Sequence, residues 1–246
     1  MKSFYAADLA YVHDQGYLAF AAAAAPGILR ILSRCCSRGD RVVEIGCGSG
    51  GFTQRLAGAG YKVLAVDISG AMLALARQKV PTAAFSRASF YRYKPPRSSA
   101  IVALGECVNY MQAGRGNHIS SVKAFFRRAH QALPPGGLLI FDFLEADPSR
   151  PRRTAVHNSG AEWMVFVEGA IVGRVLRRKI TTVRLLGGRF REAIEVHRQY
   201  LYHRKEITSL LEKTGFSVTI RTGYGAFPLK KGHRVALAVN RDQVRS

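Results

Sequence analysis

Residues 42–51 read Val-Val-Glu-Ile-Gly-Cys-Gly-Ser-Gly-Gly, and a second apolar run, Val63–Val66, ends in Asp67. The run Val42–Ile45 reads as a buried strand. The glycines behind it make a tight turn that side chains would block, and a helix is expected from Gly51. Such a turn brings backbone amides against a nucleotide-like ligand. Asp67 lies about twenty residues on, at the tip of the second strand, where a carboxylate can accept both hydroxyls of a ribose. Gly46, Gly48 and Gly51 also satisfy G-x-G-x-x-G, which leaves a nicotinamide-dependent oxidoreductase open. Glu44 speaks against that reading, because a carboxylate there would repel a pyrophosphate but suits a ligand that carries positive charge.

A third motif, Leu133-Pro134-Pro135-Gly136-Gly137-Leu138-Leu139-Ile140, reads as a turn before a fifth strand. Together with 42–60 and 63–77, it resembles the class I S-adenosylmethionine-dependent methyltransferases, with the three motifs in the family's order. The resemblance implies a Rossmann-like α/β fold, a seven-stranded doubly wound sheet. It implies S-adenosyl-L-methionine as cofactor and S-adenosyl-L-homocysteine as product. Carried over position by position, Gly46, Cys47, Gly48 and Gly50 approach the methionine moiety, and Glu44 reaches its ammonium through water. Asp67 holds the ribose, Ile68 packs on the adenine and Met72 lies nearby. Many relatives place an acidic residue on the adenine amino group where this chain has Ala88-Ser89-Phe90. Ser89 and Phe90 take that place here. Leu104 and Gly105 lie beside the methionine tail. An N-terminal tyrosine that closes over the sulfonium is expected from Tyr11 or Tyr17.

The segment after the fourth strand, Leu104-Gly105-Glu106-Cys107-Val108-Asn109-Tyr110, lacks the [DN]-P-P-[YFW] sequence of amino-methylating nucleic-acid enzymes. Its L-G-E-x-x-N-Y form resembles small-molecule N-methylating relatives. The expected activity is in-line methyl transfer to a small-molecule nitrogen or oxygen. Glu106, His13 or His197 is the expected base, and Tyr110 orients the acceptor. Glu195 and His197 share one face of a strand, so they form a candidate pair. Arg184, Arg191 and Trp163 stand out in the same region, the tryptophan as core.

The chain of 246 residues carries 37 basic and 16 acidic residues, a net charge of +21. Residues 150–246 hold 20 Lys/Arg and 7 Asp/Glu, so +13 of that charge lies there. This keeps an RNA or other nucleic-acid methyltransferase as the alternative, although the basic residues form no single stripe. A cofactor-binding protein without activity is the third reading. Cys35, Cys36, Cys47 and Cys107 form no C-x-x-C and no zinc spacing, so no metal is expected and a cytoplasmic protein is the simplest account. The run 18–25 is too short to span a bilayer, so no membrane is expected. The expected partner is a small-molecule acceptor, and the chain a monomer or homodimer.

Four segments follow from the pattern. Residues 1–37 form a helical arm, with Pro26 in the first turn of a helix over 27–36. Residues 38–149 form the cofactor-binding core. Residues 150–202 form a small antiparallel β insertion after strand five, with strands near 162–168, 171–184 and 189–202. This layer covers the acceptor or pairs two copies. Residues 203–246 complete the core with a helix and a closing hairpin.

Overall fold

The computed structural model describes residues 4–112 and 117–241. Five parallel strands come first: β1 (Arg41–Ile45), β2 (Lys62–Asp67), β3 (Ala84–Arg87), β4 (Ala100–Ala103) and β5 (Leu138–Leu144). An insertion of four antiparallel strands follows, β6 (Arg153–Gly160), β7 (Trp163–Val172), β8 (Val175–Leu186) and β9 (Arg189–Tyr200). The chain ends with β10 (Phe216–Arg221), a small ribbon of β11 (Gly223–Tyr224) and β12 (Phe227–Pro228), and β13 (His233–Asn240). The main sheet has seven strands in the order β10-β13-β5-β4-β1-β2-β3, with β13 antiparallel to both its neighbours. The order reverses between β1 and β4. In an open α/β sheet that reversal opens a crevice at the carboxyl ends of the two strands.

Among the described residues six α-helices flank the sheets: α1 (Ala7–Gly16), α2 (Leu18–Leu32), α3 (Gly51–Gly58), α4 (Gly70–Lys79), α5 (His118–Ala132) and α6 (Arg204–Glu212). The two-residue period of β1 sorts them. Val43 and Ile45 pack with Phe125 and Phe126 of α5 and with Ile207 and Leu211 of α6. Val42 packs on the other face with Ile28 and Leu32 of α2 and with Phe52 and Leu56 of α3. Both faces of the central strands β1, β4 and β5 are therefore buried, which is why these strands read as largely apolar runs.

The expected break at Pro26 is absent. One helix runs from Leu18 through Pro26 to Leu32, with Ala24, Ala25, Ile28 and Leu32 buried. Burial of that face outweighs the hydrogen bond that proline cannot donate. At Gly27 the helix lies so close to β11 that a Cβ would overlap the Tyr224 carbonyl oxygen.

The insertion has four strands where three were expected. β6 was missed because Arg153–Gly160 is exposed throughout, an edge strand without alternation. Gly169, expected as a break, lies inside β7, where a Cβ would overlap Thr154 Oγ1. The turns fall at Gly173 (φ +56°) and at Gly187-Gly188 (φ +54° and +76°). Two consecutive positive φ values give the tight turn that suits hairpin twist. One face of this sheet packs Trp163, Val165 and Ile180 against Leu9 and Val12 of α1. The opposite face exposes Met164, Phe166, Ile194 and Val196. No single described helix is long and apolar enough to cross a membrane.

Candidate functional site

The crevice begins at the turn after β1. Gly46, Gly48 and Gly50 have φ values of +70°, +53° and +84°. A Cβ on Gly46 would come within 2.5 Å of Cys107 Sγ, so glycine is what lets this turn lie against the one after β4. One side chain fixes both rims of the turn: Gly48 N–H donates to Asp67 Oδ2 at 2.9 Å and Ser69 N–H to Oδ1 at 2.8 Å. A carboxylate has about four acceptor positions, so capacity for a pair of vicinal hydroxyls is left. Burial pushes the Asp67 carboxyl up, and the amide bonds oppose that shift. Glu44, 2% exposed, accepts from Thr53 Oγ1 at 2.6 Å. Burial pushes its carboxyl up to about 8, against the Thr53 bond and with help from the Asp67 charge. A carboxyl held neutral by burial gains most from a cation brought next to it. The cradle therefore suits a nucleoside with vicinal hydroxyls and a cationic tail.

The other expected cofactor positions are spread over several elements. Cys47 is buried, with its Sγ 3.6 Å from the Gly48 carbonyl oxygen. Met72 Sδ lies 4.0 Å from where a Gly48 Cβ would stand. The Ile68 carbonyl accepts from Arg87 Nε at 3.3 Å. Ser89 Oγ accepts from the Tyr91 amide at 3.3 Å. Phe90 sits in the core cluster, edge-on to Phe125 at 5.6 Å. Leu104 packs on the α2–α3 side of the core.

The turn after β4 is braced from three directions. Asp142, a carboxylate inside the otherwise apolar β5, accepts from Gly105 N–H at 2.7 Å and Glu106 N–H at 3.1 Å. These bonds hold Glu106 at φ +62°. Burial, reinforced by the Glu106 charge, pushes Asp142 up to about 7. The Glu106 side chain accepts from Arg178 Nη1 at 3.0 Å, Gln199 Nε2 at 2.7 Å and His233 Nε2 at 2.8 Å. Burial alone would raise its carboxyl, but the Arg178 charge and these bonds outweigh burial and hold it well below the usual range. Glu106 is thus a fixed negative charge and a poor proton acceptor. Beneath the turn, Tyr202 OH donates to the Val108 carbonyl at 2.9 Å and lies 2.6 Å from His118 Nε2. His118 Nδ1 faces Tyr91 OH, whose hydrogen goes to the Tyr110 carbonyl oxygen at 3.1 Å. Burial pushes His118 down to about 4.

The insertion supplies the third wall. Glu195, His197 and Gln199 alternate onto one face of β9, and His197 is 2% exposed. His197 Nε2 lies 2.9 Å from Glu195 Oε2. Carboxylate oxygens only accept, so Nε2 carries the hydrogen. The buried Nδ1 is without a hydrogen-bond partner among the described residues. Phe4, Tyr5 and Tyr110 surround this ring at centroid distances of 5.2, 5.1 and 5.6 Å. Tyr5 OH and Tyr110 OH are 2.9 Å apart. Burial pushes Tyr5 up to about 12 and Tyr110 well above its ordinary value.

Of the two tyrosines expected at the crevice, Tyr11 lies against the insertion instead. The Tyr11 ring lies under the Arg184 guanidinium at 3.6 Å, packed with Trp163 and Val165. Arg184 and Arg191 both pair with Asp8, tying α1 to the insertion. Tyr17 is 40% exposed and stacks on His13 at 5.6 Å. His13 meets the Tyr5 ring at 5.4 Å, and burial pushes it down to about 4. Tyr5, Arg178 and His233 were not singled out from the sequence. Gln199 had a signal, two residues beyond His197 on a strand, and so did Asp142, a lone carboxylate in an apolar run.

Comparison with known proteins supplies a family. Residues 15–219 match the model of a methyltransferase domain. A Geobacillus sp. (strain WCH70) chain provisionally named a methyltransferase is 26% identical over 188 residues, 72% of this chain and 74% of the relative. Other curated methyltransferases are matched over less than half of their own length. Among solved structures, an S-adenosylmethionine-dependent methyltransferase from Clostridium acetobutylicum ATCC 824 shares the fold with a TM-score of 0.80, at 17% identity, over 95% of this chain and 98% of that one. The sugar N-methyltransferase KedS8 from Streptoalloteichus sp. ATCC 53650 has a TM-score of 0.79, at 17% identity, over 98% and 96%.

Proposed function

Because the chain belongs to the methyltransferase-domain family of class I S-adenosylmethionine-dependent enzymes, we propose that it methylates the nitrogen of a small-molecule amine. The family match displaces the nicotinamide reading that G-x-G-x-x-G left open. The observation that carries the amine proposal is the buried His197–Glu195 pair, its imidazole flanked by three aromatic rings and its Nδ1 without a partner among the described residues.

S-adenosylmethionine supplies a methyl group on a sulfonium, so the electrophile is activated before it binds. Asp67 would hold the ribose, Glu44 would face the ammonium, and Gly46, Gly48 and Gly50 give the backbone its close approach. The insertion, within residues 150–202, closes over the carboxyl ends of the strands and keeps water out. Tyr110 orients the acceptor. His197 Nδ1 accepts the proton that the amine must lose, and Glu195 holds the ring in that tautomer and steadies the imidazolium. Glu106 stays ionised and paired with Arg178, so it shapes the charge of the cavity and moves no proton. The faces of Phe4, Tyr5 and Tyr110 favour a centre that becomes positive. An amine becomes positive on methylation, which supports nitrogen over oxygen. The fold shared with a sugar N-methyltransferase supports the same acceptor class.

The test is a labelled-cofactor screen against paired amines and alcohols, with total RNA as a third arm. The expected product is an N-methylated small molecule whose formation collapses in His197→Ala. Label confined to hydroxyls would move the acceptor to oxygen, and label at one defined RNA site would replace the small-molecule reading.

A further inference from the structure

Two guanidinium groups gather around one carboxylate at the carboxyl ends of the sheet. Glu106 is the carboxylate, paired with Arg178 Nη1 at 3.0 Å. Arg150, in the linker after β5, donates from Nη2 to the Gly232 carbonyl oxygen at 2.8 Å. The next residue along, His233, donates to Glu106 Oε1 at 2.8 Å. Burial pulls the Arg150 guanidinium down, the Glu106 charge opposes that, and the Arg178 charge adds to it. The three charges therefore act on one another. Among the described residues no carboxylate lies within ion-pair distance of Arg150. Asp147 of the same linker is bonded to Ser149 instead.

Register places Arg178 next to the imidazole. It lies directly opposite His197 in the β8–β9 ladder. Directly opposed residues put their side chains on one face of the sheet, with Cβ atoms about 5 Å apart. Burial raises the Tyr5 and Tyr110 hydroxyls and the Arg178 charge opposes that rise, so the guanidinium lies near the rings that flank His197. Arg178 uses only Nη1 on Glu106. Its Nε and Nη2 make no hydrogen bond among the described residues, and its side chain is 26% exposed. Nε and Nη2 form the side-on donor pair whose geometry matches a carboxylate or phosphate. Glu106 is not available to fill that edge, because Arg178, Gln199 and His233 already converge on it.

We propose that the amine acceptor carries an anionic group, a carboxylate or a phosphate, a few bonds from its nitrogen, and that the Nε–Nη2 edge of Arg178 seats it. The proposal rests on the reading of His197 as the group that meets the amine. With the nitrogen at His197, the residue opposite is placed to hold the neighbouring end of the same small molecule. Glu106 then positions the guanidinium, holding one edge so that the other keeps a fixed direction. Arg150 supplies the second positive charge, so the centre does not become net negative when the anion enters. Two-point recognition of this kind fixes the amine against the methyl group, which a neutral amine of the same size would not achieve.

The test is turnover of the full-length protein with S-adenosylmethionine on matched pairs of amines, amino acids against their neutral primary amides and aminoalkyl phosphates against the parent amino alcohols. The anionic member of one series should exceed its neutral partner by about 100-fold in kcat/KM, mostly through KM. The series that wins tells carboxylate from phosphate. Arg178→Gln should remove that preference by lowering kcat/KM for the anionic member alone, with the neutral one within about threefold. Arg178→Lys, which keeps the charge and loses the fork, should recover only part of it. A retained thermal shift with S-adenosylhomocysteine shows that each variant is folded. Arg150→Gln leaves the Glu106–Arg178 pair intact and should raise KM for the anionic member by about threefold or more, so it decides the matter if Arg178→Gln does not fold. Equal kcat/KM within every pair overturns the proposal and leaves the amine reading standing. Equal loss of both members in a folded Arg178→Gln, or an unchanged preference in it, also overturns the proposal. If no amine of either kind is methylated, the amine reading itself fails, and the proposal with it.

Discussion

Glu44 should make cofactor affinity depend on pH in a way the structure sizes. Its carboxyl, 2% exposed, is pushed up to about 8 by burial. A group at that value is ionised to about 1% at pH 6, about 10% at pH 7 and about half at pH 8. If the ammonium of S-adenosylhomocysteine meets the ionised form, the dissociation constant should fall up to about 50-fold between pH 6 and pH 8, or about 2.3 kcal/mol. Calorimetry in two buffers of different ionisation enthalpy should show close to one proton released per ligand at pH 7. The stability of the free enzyme should run the other way. A carboxyl raised above its unfolded value contributes stability that is complete below the unfolded value and is lost as pH rises through about 8. The gap between free and bound melting temperatures should therefore widen with pH. Asp142, pushed up to about 7, titrates in the same window, so the control is Glu44→Gln. That variant should bind more weakly with a flat profile and should be as stable as the wild type or more so at pH 8. A wild-type affinity that varies less than about threefold over this range would refute the reasoning, as would a slope that survives in Glu44→Gln.

Asp67→Ala should remove most of the stabilisation by S-adenosylhomocysteine, which for the wild type is about 2.7 kcal/mol at a hundredfold excess over the dissociation constant; an unchanged shift in melting temperature would place the ribose elsewhere. His197→Ala should lower kcat by about 10²–10⁴ while leaving S-adenosylhomocysteine affinity within about twofold, read by turnover and calorimetry. His13 and His118, both pushed down to about 4 by burial, contribute stability that is complete above their unfolded value of 6.5 and is lost as pH falls toward 4. Urea midpoints should fall from pH 7 to pH 4.5, partly offset by Glu44 and Asp142, and less steeply in His118→Gln. Gly27→Ala should cost about 1–3 kcal/mol, measured by chemical denaturation, because the new Cβ meets the rigid Tyr224 carbonyl rather than a side chain that can move.

What could be read from the chain, and what could not, divides by the range of the interaction. Gly46, Gly48, Gly50 and Asp67 were legible because a strand, a tight turn and a helix are local, and their spacing survives in any one sequence. The seven-stranded doubly wound sheet was an implication of the family resemblance that these motifs carry, and the structure has it. Tyr5 was not legible. Its place depends on Glu195, 190 residues away, and on a hydroxyl of Tyr110. No local pattern marks a tyrosine that is held by its backbone amide. Tyr11 and Tyr17 were better candidates by spacing within an aromatic cluster, yet Tyr11 of α1 lies under Arg184, and Tyr17, between α1 and α2, stacks on His13. Glu106 shows the converse. As a carboxylate beside the acceptor turn it reads as a base, and only the fold reveals that Arg178, Gln199 and His233 converge on it from β8, β9 and β13. Between two candidate carboxylates, the partners decide the chemistry. Glu106 is saturated by cations and donors and holds its charge. Glu195 accepts from the backbone amides of Tyr5 and Ala6 and from His197 Nε2, and so fixes the orientation of that imidazole. The proton that leaves the acceptor should therefore go to the insertion, not to the Rossmann core, and the core's share of catalysis is to place the cofactor so that the insertion can close on it.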